Sequence, residues 1–360
     1  MTPLQNRVVI ASAGSGKTTW VVGDALGCPC RTAVVSYTIN NTERVREKFA
    51  ELAYAVPERV TVDTWFGFQL RDLVRPYQNF YRDPRITGMN FVSGRSAAYV
   101  KKNTPPYFFD GQGRIYSDKI SEFALLCNER SGGLVFERLK ALYGRIYIDE
   151  VQDLAGYDLD LLEAAMRAGV QLQMVGDNRQ ATYATNNAAR NSAFHGPRIV
   201  DKFYAWRQAG LCELTHHAWS HRCNQAICDL ADRLFPSCEP SMSKATTTCD
   251  HAGVFLVEEK LVGSYVTAHQ PQVLVWSKAA PGEQLNFGDA KGLEFPHVLI
   301  LPTDKIRRWL KSGDPTAIDS DTTRAKLYVA ITRARHSAAF VFDGDSAMPG
   351  VRRITQDELV

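Results

Sequence analysis

Eight consecutive residues constrain this chain more than any others: Ala11, Ser12, Ala13, Gly14, Ser15, Gly16, Lys17 and Thr18. A short apolar-rich run, Arg7 to Ile10, leads into them, and the chain from Thr18 onward reads as a helix. A glycine-rich turn between a strand and a helix aims successive backbone N–H groups into one hollow. The helix N-terminus adds its positive pole, so the segment is an anion nest suited to phosphate groups. In this pattern Lys17 reaches the β- and γ-phosphates of a nucleoside triphosphate and the Thr18 hydroxyl ligates Mg²⁺. Ala11 through Thr19 are therefore the candidate nucleotide contacts. The general pattern has glycine where Ala11 stands.

The rest of the chain alternates strand and helix patterns, which implies mostly parallel sheets with ligands at the carboxyl ends of the strands. Thr32 to Ser36, Arg145 to Ile148 and Gln171 to Val175 read as buried strands, and Leu159 to Ala168 as a helix. Residues 80–118 break this rhythm with prolines, glycines, tyrosines and arginines, and read as a small inserted subdomain. A second block opens near Phe203. It has a helix over Asn224 to Leu234 and a Pro/Ser/Thr-rich link over Pro236 to Thr248. Strands follow at Gly253 to Val257, Val273 to Trp276, His297 to Leu301 and Ala338 to Phe342, with a helix over Thr322 to Thr332. The expected division is 1–79 with 119–202 as a first lobe, 80–118 as its insertion, and 203–360 as a second lobe.

The strand Arg145 to Ile148 ends on two adjacent carboxylates. Asp149 can hold Mg²⁺ through water, and Glu150 can orient and deprotonate an attacking water. Phosphoryl transfer depends mainly on positioning and charge stabilisation, so a lysine, a metal and a base account for most of the machinery.

Asp149-Glu150-Val151-Gln152-Asp153, preceded by the Ala11 to Thr18 loop, resembles the UvrD/Rep branch of superfamily 1 helicases, whose second motif is DExQD and whose loop has the AxAGSGKT form. The resemblance implies two RecA-like P-loop NTPase lobes. Val175 to Gln180 is similar to that family's GDxxQ motif, in which the glutamine, here Gln180, senses the γ-phosphate. Ser220 to Ile227 resembles its fourth motif, which makes Arg222 a γ-phosphate contact and puts His221 in the place of an adenine-stacking aromatic. Asp289 to Phe295 resembles the fifth, with Glu294 near the ribose. Tyr328 to Ala334 resembles the sixth, with Arg333 as the second arginine finger. These motifs run from residue 11 to residue 334. Two arginines aimed at a γ-phosphate stabilise transition-state charge.

The resemblance extends to nucleic-acid contacts. Tyr37 would stack on a base and Thr38 touch the backbone. Thr64 would touch a phosphate, with Trp65 beside it, and Phe66 replaces the family's usual histidine. Trp65, Phe66 and Phe68 equally suit a core. After GDxxQ, the run from Tyr183 to Ala188 puts Thr185 where the family has a stacking aromatic. About 80 residues separate the Thr64 motif from Asp149 and about 60 separate Ile227 from Asp289, so the large accessory insertions of bigger members do not fit. The adenine-reading glutamine lies upstream of the loop in the family, and Gln5 is the candidate for it here.

Composition limits the alternatives. Hydrophobic residues make up 45% and charged residues 22% of 360, typical of a globular protein. No apolar run of about 18 residues exists, and the first residues lack a signal-peptide pattern, so a cytoplasmic protein is expected. A net charge of +3 neither demands nor excludes nucleic acid. Eight cysteines include Cys28 and Cys30, and a group at 212–249 close to histidines 216, 217, 221 and 251. The spacing matches no CxxC zinc pair, and reduced thiols are expected.

The reading is an ATP- and Mg²⁺-dependent helicase or translocase on single-stranded DNA, moving 3′ to 5′ by resemblance, with replication or repair proteins as partners. RNA stays open, since stacking does not distinguish sugars. The alternatives are a translocase without strand separation and a nucleotide-gated binding module.

Overall fold

The computed structural model describes residues 5–186, 188–277 and 284–359; Asn187, within the Tyr183 to Ala188 run, lies outside them. The chain divides into two compact units. The first comprises Met1–Ile10, Lys17–Asn178 and Tyr183–His216. The second comprises Ala11–Gly16, Arg179–Thr182 and His217–Val360.

The elements of the first unit, in order, are β1 (Arg7–Ala11), α1 (Lys17–Gly27), β2 (Thr32–Ser36), α2 (Ile39–Ala53), β3 (Val60–Thr64), α3 (Trp65–Phe68), β4 (Met89–Asn90), α4 (Pro105–Phe108) and β5 (Ile115–Tyr116). They continue with α5 (Ile120–Arg130), α6 (Leu134–Leu142), β6 (Arg145–Asp149), α7 (Tyr157–Arg167), β7 (Leu172–Gly176), α8 (Ile199–Gln208) and β8 (Glu213–His217). Six of the strands form one sheet in the order β3-β2-β6-β7-β1-β8. The β1–β7, β2–β3, β2–β6 and β6–β7 pairs are all parallel. The chain thus crosses from one edge to the middle of the sheet between β3 and β6, and both β1 and β6 end on the same edge of it.

The insertion is not a separate body. Ile86, Tyr107, Phe108, Phe109 and Ile115 join the hydrophobic cluster that holds Ile146 and Ile148 of β6 and Leu159 and Leu162 of α7. Its only strands are the two-residue β4 and β5, paired in parallel. Aromatic edge-to-face contacts do the packing, with Phe108 and Phe123 ring centroids 5.1 Å apart. Phe203 and Trp206 of α8 belong to this same core.

The second unit contains β9 (Trp219–Ser220), α9 (Gln225–Asp232), β10 (Met242–Ser243), β11 (Gly253–Val257), α10 (Val262–His269), β12 (Gln272–Val275) and β13 (Gln284–Asn286). It ends with β14 (Phe295–Ile300), α11 (Asp304–Ser312), α12 (Asp321–Ile331), β15 (Ala334–Val341) and β16 (Val351–Arg353). Its six-stranded sheet has the order β13-β12-β14-β15-β11-β16, with every adjacent pair parallel. Side chains of a strand alternate between faces, and here the alternation divides two cores. Val254 and Leu256 of β11, Val298 and Ile300 of β14, and Ala338 and Phe340 of β15 enter one. Phe255, Val257, Leu299, Ala339 and Val341 enter the other. A sheet buried on both faces explains why these strands read as continuous apolar runs. The architecture is the expected one: two α/β bodies of the RecA-like kind, each on a six-stranded, mostly parallel sheet.

One expectation about cysteine changes. Cys28 and Cys30 are joined to each other, with Cα atoms 5.5 Å apart, rather than both being reduced. The other six are free, four of them buried. Among the described residues no three His, Cys, Asp or Glu side chains converge as a metal site, and no helix is long and apolar enough to cross a membrane.

Candidate nucleotide and nucleic-acid site

In the first unit, β6 delivers Asp149, 3% exposed, to its carboxyl end. The Thr18 hydroxyl, one residue into α1, donates to Asp149 Oδ2 at 3.0 Å. Burial pushes the Asp149 carboxyl upward, the Glu150 charge adds to this, and Thr18 and Lys17 oppose it. Both side chains that would hold Mg²⁺ are thus side by side. Their all-oxygen chemistry fits that ion, which binds through one or two carboxylates, waters and substrate phosphates.

Glu150 adopts the left-handed backbone conformation, with φ 60°, uncommon for a residue with a Cβ. The turn is held from several sides. Its N–H donates to Asp149 Oδ1 at 3.0 Å, and the Gln152 amide donates to its carboxylate. Gln152 Oε1 also accepts from the Asp177 N–H at 3.1 Å. A Cβ on Gly176 would lie 2.2 Å from that same oxygen. This explains glycine at 176: the glutamine of the DExQD segment fills the space and links it to the GDxxQ segment.

Thr185 serves the same region. Its hydroxyl oxygen accepts from the Ala155 N–H at 3.0 Å and its hydrogen goes to Asp158. Its own N–H donates to the Asp153 carbonyl at 3.0 Å. Thr185 is 6% exposed, a buried bonding node rather than a stacking surface.

In the second unit, Gly14 and Gly16 take φ of +72° and +83°, which only glycine adopts without strain. Gly14 is constrained twice. A Cβ there would lie 2.6 Å from both Arg222 Cβ and Ser220 Oγ. Its carbonyl accepts the His221 N–H at 2.8 Å. Among the described residues, Gly16 has no atom within 4 Å of where its Cβ would be, and the buried Ser15 Oγ has no hydrogen-bond partner. An open cradle beside an unmatched hydroxyl fits a phosphate. The loop is braced from behind: Arg179, 3% exposed, donates to Ser12 Oγ at 2.7 Å and to Asp232 at 2.8 Å. The Ala13 N–H reaches the Tyr328 hydroxyl at 3.4 Å.

Arg222 Nε donates to Glu294 at 2.9 Å and Nη1 to the Thr332 carbonyl at 3.2 Å. Burial raises the Glu294 carboxyl, but Arg222 and Arg335 outweigh it and hold it below its ordinary range. Arg333 is 1% exposed. Its guanidinium donates to the Val329 and Leu293 carbonyls at 3.0 and 3.1 Å and to Gln180 Oε1 at 3.3 Å. Lys291, which sequence reasoning left without a role, donates to the Gln180 carbonyl at 3.1 Å. The second unit therefore gathers residues 11–16, Gln180, His221, Arg222, Glu294 and Arg333 through short chains of contacts. The His221 ring and Thr19 are exposed.

Among the strand-contact candidates, Thr38 caps α2 by accepting the Asn41 N–H at 3.1 Å, and Thr64 caps α3 by accepting the Gly67 N–H at 3.1 Å. Each keeps its O–H for another acceptor. Tyr37 is half-buried, with its ring 5.9 Å from Phe66 and 6.3 Å from Tyr183. Trp65 is a correction. It is 2% exposed and stacked on Phe68, so its ring has no free face for a base. Gln5 is also corrected. It sits before the amino end of β1, some six residues, or ~20 Å of extended chain, from the loop at the carboxyl end.

No protein-family model matches the chain, and no curated protein does. Solved structures do. Arterivirus nonstructural protein 10, a helicase, aligns at 15% identity over 93% of this chain and 59% of that one, with a TM-score of 0.47. Its complex with DNA aligns at 16% over 93% and 60%, TM-score 0.46. The PRRSV helicase aligns at 16% over 94% and 53%, TM-score 0.45. The chain spans a little over half the length of these structures, and similarity at this level assigns no activity to it.

Proposed function

We propose that the chain is an ATP-driven motor of the UvrD/Rep type that moves 3′ to 5′ on single-stranded DNA and separates strands ahead of it. The observation that carries this reading is the seat of Gly14 against Ser220 and Arg222, with the His221 N–H on the Gly14 carbonyl. It brings a phosphate-binding loop and an arginine-bearing segment into direct contact.

In this reading Lys17 and the loop N–H groups hold the triphosphate, and Thr18 and Asp149 hold Mg²⁺. The metal supplies neutralisation of charge on the phosphate oxygens. Glu150 orients the attacking water and takes its proton. Arg222 and Arg333 stabilise charge at the γ-phosphate, and Gln180, bonded to Arg333, reports whether that group is present. Their arrangement then depends on hydrolysis, which is what a motor requires. Tyr37, Thr38 and Thr64 contact the strand.

ATP turnover measured alone and with single-stranded DNA, single-stranded RNA and duplex tests this. Stimulation by single-stranded DNA is expected, and turnover indifferent to any nucleic acid would leave only a nucleotide-gated binding module. Thr185 favours a second reading, a translocase that does not unwind, because a buried hydrogen-bonding threonine replaces a base-stacking ring. A forked duplex that stays paired while ATP is consumed would select it.

A further inference from the structure

Away from the nucleotide residues, the first unit holds a cavity of about 340 Å³ whose polar lining is Arg95, Lys102, Tyr107, Lys119, Tyr157 and Arg190, with no carboxylate among the described lining residues. The insertion supplies Arg95, Lys102 and Tyr107. The floor is built: Lys119 is 2% exposed, its ammonium 3.1 Å from Asp118 and 4.6 Å from the centre of the Tyr107 ring. Asp118 also accepts from the Ser96 N–H at 3.0 Å and from its hydroxyl, and the Tyr107 hydroxyl donates to Glu122 at 2.8 Å. The acids that answer the cations are not among the lining residues. Asp160 holds Arg190 at 2.8 Å, and Glu122 lies 3.9 Å from Lys102. Arg95 is exposed at the rim and makes no ion pair or hydrogen bond among the described residues.

We propose that this cavity is a phosphate-binding subsite distinct from the Ala11–Thr18 loop, and that the phosphate belongs to the backbone of a bound single strand. The assignment rests on the strand-binding reading above. Four cations lining one hollow suit an anion with several acceptor oxygens. A strand rather than a free anion follows from the neighbouring chain. Phe91 is 71% and Tyr99 fully exposed, interleaved with Arg95, Lys101 and Lys102. Exposed rings among basic residues are the composition of a single-strand track. The Phe91 ring also lies 5.6 Å from the buried Phe66 ring, which lies 5.9 Å from the half-buried Tyr37, so packing links the insertion's exposed ring to Tyr37.

The test is oligo-dT binding by the full chain, followed by fluorescence anisotropy across a salt series. Arg95 and Lys102 are both exposed, so Arg95→Ala with Lys102→Ala spares the fold. Arg198→Ala with Arg207→Ala, two exposed cations outside the cavity lining, is the control. Each lost phosphate contact on a single strand lowers the slope of log affinity against log salt by ~0.7. The cavity variant is expected to lose ~1.4 from that slope and about tenfold in affinity at moderate salt, with turnover at saturating strand unchanged. The control is expected to keep the wild-type slope. An unmoved slope in the cavity variant, or an equal loss in the control, overturns the proposal. Line broadening of inorganic phosphate in ³¹P NMR separates the sources. If the cavity variant loses it while its oligonucleotide slope stays wild-type, the site takes a free anion and the strand assignment is overturned. Wild-type protein that binds no oligonucleotide would instead defeat the strand-binding reading itself.

Discussion

The Thr18 hydroxyl lies 3.0 Å from Asp149 Oδ2, joining the first turn of α1 to the end of β6. If this pair and its neighbours form the ATP site, Lys17→Ala removes a charge from bound phosphate without touching the core. Turnover should fall by at least ~100-fold, with circular dichroism unchanged; near-normal turnover would refute the assignment. Glu150→Gln should bind ATP and retain it unhydrolysed. Rapid single-turnover hydrolysis in that variant would remove its role as base.

Gly14→Ala meets two obstacles at once, a positive φ and the 2.6 Å approach of Arg222 Cβ. The loop or the arginine segment must shift. ATP turnover should drop by two orders of magnitude or more, while a 1 Å displacement alone can cost ~100-fold. Gly27→Ala is the comparison, because nothing lies within 4 Å of a Cβ there. It should be neutral or slightly stabilising. Equal effects of the two substitutions in a steady-state assay would show that close packing at Gly14 is not what matters.

Thr185→Val preserves shape and deletes one oxygen. The Ala155 N–H loses its acceptor in a buried setting, and Asp158, whose carboxyl burial already pushes upward, loses a donor. A cost of ~2–4 kcal/mol is expected, read as a lower midpoint in urea at constant m-value. Thr185→Ser should recover most of it. A Val variant as stable as wild type would mean that the hydroxyl is dispensable.

The second unit should lose stability on mild acidification. His251 stacks on His269 with ring centroids 3.6 Å apart and on Phe255 at 4.3 Å, with His297 5.5 Å away. Burial, then the charges of His269, His297 and Arg352, push it down to about 4, while Glu358 opposes them. His269 and His297 are lowered too. The folded form keeps His251 neutral where an unfolded chain takes a proton near pH ~6.5. Stability is therefore at its plateau above that pH, falls as pH drops, and reaches its lower level near 4. Calorimetry should show the melting temperature decreasing by several degrees from pH 7 to 5, and His251→Phe should flatten that dependence. A wild-type profile already flat over this range would contradict the account.

Much of this organisation is legible in the chain itself. Strands buried on both faces, such as Gly253–Val257 and Thr32–Ser36, advertise themselves as apolar runs and fall on the expected residues. The alternation of β and α sets the architecture, and a glycine-rich turn between a strand and a helix marks the loop proposed to hold phosphate. What escaped is what depends on three-dimensional neighbours. Trp65 has the composition of a stacking residue, and only the packing of Phe68 over it reveals a core ring. Thr185 registers in sequence as a missing aromatic; its bonds to Ala155 and Asp158 exist only once the Asp153 segment is folded beside it. The basic cavity draws on residues 95 to 190, too far apart in the chain for any local pattern to unite them.

Thr38 and Thr64 each end a strand-to-helix turn with one oxygen already holding a backbone amide. Any ligand reached through the remaining hydrogen shares an atom with the start of a helix. Grip on the ligand and integrity of the turn are then one thermodynamic quantity at these positions. Truncating either side chain would mix local unravelling into the apparent affinity, whereas exchange for serine would leave both intact.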